Sequence, residues 1–313
     1  AKPGQPQSKR AQPAVKESVM EKKLKKGGLA FDISNTLLLT VISFVCLYPF
    51  LYVVMASFSD PNQFALRKFI ILLKPEGFSL EAYKYVFSDE IVTGYLNTIF
   101  YVVAGTLISM ILTSLGAYVL SRKGYMFRKL ITLCIIFTMY FSGGLIALYL
   151  WVSELGMIDT LWSVLLPTAV STYNMIVLRS GFDNIPESLV EAAKMDGASE
   201  FTCLTKIMMP LSKASMAVIV LFYAVSRWNE WLYPSMFLRS NGLYPLQIIL
   251  RKILLTSSNA EMMGIMDDAL NMTALAQIVK YATIVVSSAP ILCLYPFIQK
   301  YFVAGMMLGG VKE

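Results

Sequence analysis

The sequence predicts an all-α membrane protein: six transmembrane helices with the N and C termini cytoplasmic. Composition is the first ground, since 56% of the 313 residues are hydrophobic and 15% charged, against roughly half and a quarter in soluble domains. The second is four uncharged runs, 33–59, 91–121, 130–153 and 160–178, each near or above the roughly 20 residues that cross a bilayer. The third is the placement of Lys and Arg. The 122–129 connection holds four basic residues and no acid, whereas 154–159 holds two acids and no base, so the first lies inside and the second outside.

Taken in order, residues 1–28 are polar, contain Pro and Gly, and carry eight basic residues against two acidic ones. Such a stretch buries too little apolar surface to order itself and reads as a disordered basic cytoplasmic tail. Basic residues before an apolar run also describe a signal peptide, but the run at 33–59 is longer than a typical apolar region of that kind and lacks a small-residue cleavage site. Residues 29–313 form the six-helix domain. After the first helix, near 31–56, the extracytoplasmic segment 57–93 contains an apolar patch and a helix start at Ser79, Leu80 and Glu81, which predicts a folded outer element. The second helix, 94–120, is long enough to imply tilt or extension into the interface. Helices three and four form a hairpin whose outer turn is flanked by Trp151 and Trp162, at the level that amphipathic indoles favour.

Helices five and six are interrupted by charge. The span at 214–238 contains Arg227 and Glu230, and that at 274–298 contains Lys280. Between them, 239–274 is a second extracytoplasmic segment. Its apolar run 246–255 is too short to cross a membrane and carries Arg251 and Lys252. Two outer segments of this size predict that something docks there.

Several classes of function lose support from composition. The chain has no histidine, and its four cysteines, Cys46, Cys134, Cys203 and Cys293, show no paired spacing. The usual general base, the commonest metal ligand and a disulfide framework are therefore not implied. No catalytic residue and no metal site is predicted. No G-x-x-x-x-G-K-[ST] match occurs, so the chain does not hold ATP by that route.

The inner connection 183–211, with "EAAKMDGASEFTCLTKIMMPL" at its centre, departs from a plain loop. Pro186 suits the first turn of a helix that runs to Met195, with Glu187, Glu191 and Lys194 at i, i+4 and i+3 spacings. Gly197 falls where a left-handed residue ends a helix, Ser199 can cap a second one, and Pro210 must end or kink it. Helix, turn, helix results. Ala192, Ala193, Gly197 and Ala198 cluster at the bend, where small side chains let another surface approach. Ile207 and Leu211 supply apolar anchors for a partner protein. The competing interpretation is an amphipathic connector on the inner leaflet. Five acids, Asp183, Glu187, Glu191, Asp196 and Glu200, oppose it, because that leaflet is anionic.

The pattern E-A-A-x-x-D-G-A, eight residues, then I-x-x-P fits Glu191, Ala192, Ala193, Asp196, Gly197, Ala198, Ile207 and Pro210. It resembles the coupling motif of binding-protein-dependent ABC importer permeases. The segments 141–179, 227–234 ("RWNEWLYP"), 244–251 ("YPLQIILR") and the C-terminal "YFVAGMMLGGVKE" resemble the carbohydrate branch, in the group of the maltose-importer second permease, and most of all permeases for complex oligosaccharides such as alginate. Met209 and Trp231 depart from the residues usual in that group. The resemblance implies an ABC type I importer permease-like fold in a bacterial cytoplasmic (inner) membrane, surrounded by membrane lipid. It also implies a second homologous permease subunit, two ATP-binding subunits that hold ATP and Mg, an extracytoplasmic sugar-binding protein, an oligosaccharide substrate and no nucleic acid. Glu191 through Ala198 would enter a cleft of one ATPase, and Gly309 to Glu313 would approach the ATPase pair.

Ionisable residues within spans are candidates for function. Arg227 and Glu230 share a helical face and can form a structural ion pair. Alternatively, with Trp228, Asn229, Trp231 and Tyr233 they hydrogen-bond and stack on a sugar. Lys280 can snorkel to water or contact a polyanion. The second reading for the whole chain is an ion-coupled secondary transporter, which needs midplane carboxylates. Only Glu230 is a deep acid.

Overall fold

The computed structural model describes residues 13–66, 71–122, 124, 126–262 and 275–293, without the side chains of 13–30, 65 and 256–262. Among them the ordered elements are helical, apart from one antiparallel bridge between Ser59 and Phe78. Helix α1 spans Pro13–Ser57, α2 Pro61–Ala65 and α3 Glu81–Val86. Then come α4, Asp89–Ser121, α5, Arg128–Tyr140, and α6, Gly144–Glu154. Two pieces follow, α7 at Leu161–Leu165 and α8 at Thr172–Asp183. The connection after them holds α9 at Glu187–Met195, α10 at Glu200–Thr202 and α11 at Met209–Leu211. The chain continues with α12 at Lys213–Trp228, α13 at Leu232–Phe237 and α14 at Leu246–Met262. Helix α15 occupies Leu275–Cys293.

Helix α1 begins at Pro13, inside the stretch expected to lack order. Proline suits a first turn, and the good helix formers of 16–26 carry the helix through Gly27 and Gly28 into the apolar run. Residues 1–12 and 294–313, including Gly309 to Glu313, lie outside the described residues, as does 263–274 of the second outer segment.

Three helices are long and apolar enough to cross a membrane: Phe31–Ser57, Asp89–Ser121 and Leu275–Cys293. Two bent pairs raise the number to as many as five among the described residues, α5 with α6 at 110° and Glu200–Leu211 with α12 at 89°. The expected continuous third and fourth spans are not continuous. Gly144, at φ 81°, turns the chain between α5 and α6, and Pro167 lies in the break between α7 and α8, where its missing N–H and ring oppose helix continuation.

Packing centres on α4, which contacts α8, α12 and α14. Its buried face carries Gly94, Thr98, Gly105, Ser109, Thr113 and Ala117, one helical turn apart except where Tyr101 stands between Thr98 and Gly105. Between apolar helices in an apolar solvent, close approach and hydrogen bonds replace the hydrophobic driving force, which is why the stripe is small and weakly polar. At Gly94 a Cβ would come within 2.5 Å of Ile249 Cδ1. Thr98 Oγ1 accepts from Leu246 N at 2.8 Å, and Thr113 shares a 2.6 Å hydrogen bond with Tyr223. The opposite faces of α1 and α4 expose Leu37, Phe44, Leu96, Val103 and Leu107, as lipid contact requires.

At the end of the bundle away from α9–α11, Asp159 has φ 59° and accepts from the amides of Arg239 (2.8 Å) and Ser240 (2.9 Å) and from the Ser240 hydroxyl. These bonds, led by the Ser240 hydroxyl, hold its carboxyl below the usual carboxylate range. A depressed folded value gives a contribution present above the unfolded pKa and lost as pH falls through the folded one. Asp159→Ala should therefore remove hydrogen-exchange protection from the 239 and 240 amides at neutral pH. The parent chain should lose that protection only below the ordinary carboxylate range.

Candidate functional site

Two sites emerge, an exposed helical pair at one end and a cavity within the bundle. In the pair, α9 follows Pro186, whose φ of −55° already fits a helix. Its C-terminus closes by two reversed bonds, Gly197 N to Lys194 O at 3.0 Å and Ala198 N to Ala193 O at 2.9 Å. These, with Gly197 at φ 82°, form a Schellman motif, and Ala193 and Ala198 pack together against the core as that motif favours. Ser199 Oγ then accepts from Thr202 N at 3.2 Å and caps the next helix. Cys203–Met208 widens into a π-helical turn, which accommodates Pro210 four residues beyond Lys206, where an α-helix would meet a clash and a lost bond.

One side of the pair is fixed to the bundle. Val190, Cys203, Leu204 and Met208 share a core with Ala117 and Tyr118 of α4, Leu178 and Phe182 of α8, and Ile219 and Tyr223 of α12. Polar bonds add to it. Tyr118 donates its hydroxyl to Glu200, which also pairs with Lys194, and the Arg122 guanidinium lies 4.8 Å from the Tyr118 ring centre. The Lys194 contact first, then the Tyr118 hydroxyl, holds the Glu200 carboxyl low. The sequence presents Glu200 only as one of five acids and does not single out Tyr118 and Arg122. Their sole signal is position at the end of the second expected span.

The other side is open. Glu191, Ala192, Asp196 and Pro210 are exposed, Ile207 is half-buried, and Met195 and Phe201 expose 89% and 67% of their surface, high for apolar side chains. A groove of about 680 Å³ runs beside them, lined by Tyr118, Arg122, Glu187, Glu191, Lys194 and Phe201. Asp196 does not line it; that residue forms the C-cap of α9. A Cβ at Gly197 would meet nothing within 4 Å, so backbone conformation alone requires glycine within this chain.

The cavity, about 1000 Å³, opens between the α7–α8 break and α12. Its polar lining comprises Thr168, Ser171, Asn174, Ser226, Arg227 and Glu230, with Tyr173, Tyr223 and Tyr233. Of the candidate pathway residues, Arg227, Glu230 and Tyr233 thus meet on one surface. The others go elsewhere. Trp228 is buried against Ile91 and Leu246, the Arg251 guanidinium lies 3.6 Å from the Trp231 ring centre, Asn229 is exposed, and Lys280 is half-buried on α15. Thr168, Ser171 and Asn174 are not among the residues expected from sequence, although a cluster of polar residues after Pro167 in an apolar span is a usable signal.

The expected Arg227–Glu230 ion pair does not form. Arg227, 6% exposed, donates to Val164 O (2.8 Å), Leu165 O (3.0 Å) and Thr168 Oγ1. These carbonyls end α7, where no following turn supplies donors. A guanidinium suits them because it presents several N–H groups in a fixed fork and its charge favours a helix C-terminus. Glu230 instead accepts weakly from Tyr233 N at 3.4 Å. Arg227 therefore holds the helix break, while Glu230 leaves a carboxylate on the cavity.

Residues 105–308 match the family described as "Binding-protein-dependent transport system inner membrane component". The chain is 41% identical over 287 residues to the polygalacturonan/rhamnogalacturonan transport system permease protein YtcP of Bacillus subtilis, covering 90% of this chain and 98% of that one. It is 28% identical over 276 residues to the arabinooligosaccharides transport system permease protein AraQ of Halalkalibacterium halodurans, covering 87% and 93%. Among solved structures, a chain of a bacterial ABC transporter involved in the import of the acidic polysaccharide alginate aligns with a TM-score of 0.78 and 33% identity, covering 88% of this chain and 98% of that one.

Proposed function

The chain belongs to the binding-protein-dependent transport system inner membrane components, a family of transport permease subunits, and from that premise we propose that it is one half of the membrane channel of an ATP-driven oligosaccharide importer. One observation carries the mechanism: the α9–α11 pair shares a core with α4, α8 and α12 while turning Glu191, Met195 and Phe201 outward. A partner gripping the outer side would move the spans with it, because packed cores shift as bodies rather than deform. The partner in this reading is an ATPase bound at Glu191, Ala192, Ala193, Asp196, Gly197 and Ala198, with Ile207 and Pro210 shaping the second helix.

The reading includes six spans, both termini and the 183–211 pair on the cytoplasmic side, and the 57–93 and 239–274 segments outside, facing a sugar-binding protein. It also includes a second permease, which completes the pathway, and ATP with Mg held by the ATPase subunits. The cavity suits a carbohydrate in kind, since hydroxyls and an amide satisfy sugar hydroxyls and three tyrosines offer ring faces.

An acidic oligosaccharide is the proposed cargo. Support comes from YtcP, named for polygalacturonan, and from the alginate importer. Glu230 on the cavity opposes it and Arg227 favours it, although much of that guanidinium is engaged by carbonyls. The deciding experiment purifies the complex with its partners and measures ATP hydrolysis with acidic and neutral oligosaccharides of equal length. Stimulation by oligouronides alone is expected; stimulation by neutral sugars alone contradicts the assignment.

A further inference from the structure

We propose that a second cavity, at the same end of the bundle as α9–α11 but on a different face, binds an anionic phospholipid. The cavity measures about 720 Å³ and is lined by Arg128, Lys129, Arg179 and Thr132 at one end and by Leu133 and Ile136 further along α5.

Its cations outnumber their partners. Arg128 and Arg179 share a single carboxylate, Asp183, at 3.5 and 3.4 Å, and Lys129 makes no ion pair among the described residues. Two positive charges are left over. Arg179 Nη1 donates to Thr132 Oγ1 at 3.3 Å, and its buried Nε faces Asp183 Oδ2 at 3.4 Å without the geometry of a hydrogen bond. No acid occupies the first turn of α5, and no side chain caps it, so its free amides add to the positive field.

The occupant must be anionic at one end and apolar beyond. No residue of α5 is buried, and Leu130, Leu133 and Phe137 expose 58%, 65% and 55% of their surface. From Lys129 to Ile136 the helix rises roughly 10 Å, a strip suited to acyl chain rather than to water. A headgroup phosphate among the three cations, with its chains along Leu133 and Ile136, satisfies both ends. A soluble anion satisfies only the first. Basic pockets between spans at the cytoplasmic surface recognise anionic headgroups by this chemistry. The location rests on reading this end as cytoplasmic, but preference for the lipid in detergent does not, so the two fail separately.

The test is native mass spectrometry of the purified complex, titrated with phosphatidylglycerol, with phosphatidylcholine of the same chains, and with inorganic phosphate. Phosphatidylglycerol should be retained over phosphatidylcholine and should resist displacement by phosphate. Lys129→Gln, which breaks no ion pair of the described chain, should weaken retention by about fivefold, and Lys129→Arg should restore it. Equal retention of the two lipids, no effect of Lys129→Gln, or displacement by inorganic phosphate alone would each overturn the proposal.

Discussion

Gly197→Val should reduce ATP-driven sugar uptake by at least about tenfold in the reconstituted complex while leaving membrane insertion intact. At φ 82° an L-residue costs about 1–2 kcal/mol, and a β-branched one is worse. Relaxing that cost breaks the two reversed bonds and rotates Ser199 and the second helix away from α9. The spans keep their core, so the chain inserts, but the surface offered to the partner changes shape. Gly197→Asn separates two causes, because asparagine tolerates a left-handed backbone. Near-normal uptake with asparagine would mean that only conformation matters. Loss with asparagine would mean that the partner's surface approaches within a side chain of this position.

Arg227→Met should lower the stability of the chain by on the order of 3 kcal/mol, since it leaves the buried Leu165 carbonyl and Thr168 without their donor and Val164 O with only a 3.5 Å contact from the Thr168 hydroxyl. Transport should fail with it, because the α7–α8 break loses the group that fixes Thr168 and Ser171 on the cavity. Arg227→Lys should recover only part of both, since one ammonium does not span two carbonyls as a fork does. Thermal unfolding of the purified chain reads the first effect and uptake the second. Gly105→Ala should produce a milder version, as its Cβ would sit 3.0 Å from Arg227 Nε.

Local chemistry makes the α9–α11 pair legible in the amino-acid sequence. Pro186, Gly197, Ser199 and Pro210 each dictate one backbone feature from their own covalent properties, and each feature appears at its residue. Long apolar spans are equally legible in α1, α4 and α15. The breaks are less so. An uncharged run such as 160–178 reads as one span by hydropathy, whereas Pro167 and the polar residues after it divide it. Arg227 shows why side-chain partners escape linear reading: proximity on one helix points to Glu230, but carbonyls left free by the break about 60 residues earlier are better acceptors. Trp228, Trp231 and Lys280 disperse for the same reason, since the side on which each helix packs is set by distant residues.

Uptake of a labelled acidic oligosaccharide into proteoliposomes containing the whole complex and its binding protein tests the central claim most directly. With ATP available to the ATPase subunits, uptake should proceed and should survive an uncoupler. It should disappear without ATP, or when Glu191→Lys and Gly197→Asp are introduced together. Uptake that persists without ATP but collapses with the uncoupler would contradict the account and make the chain an ion-coupled carrier.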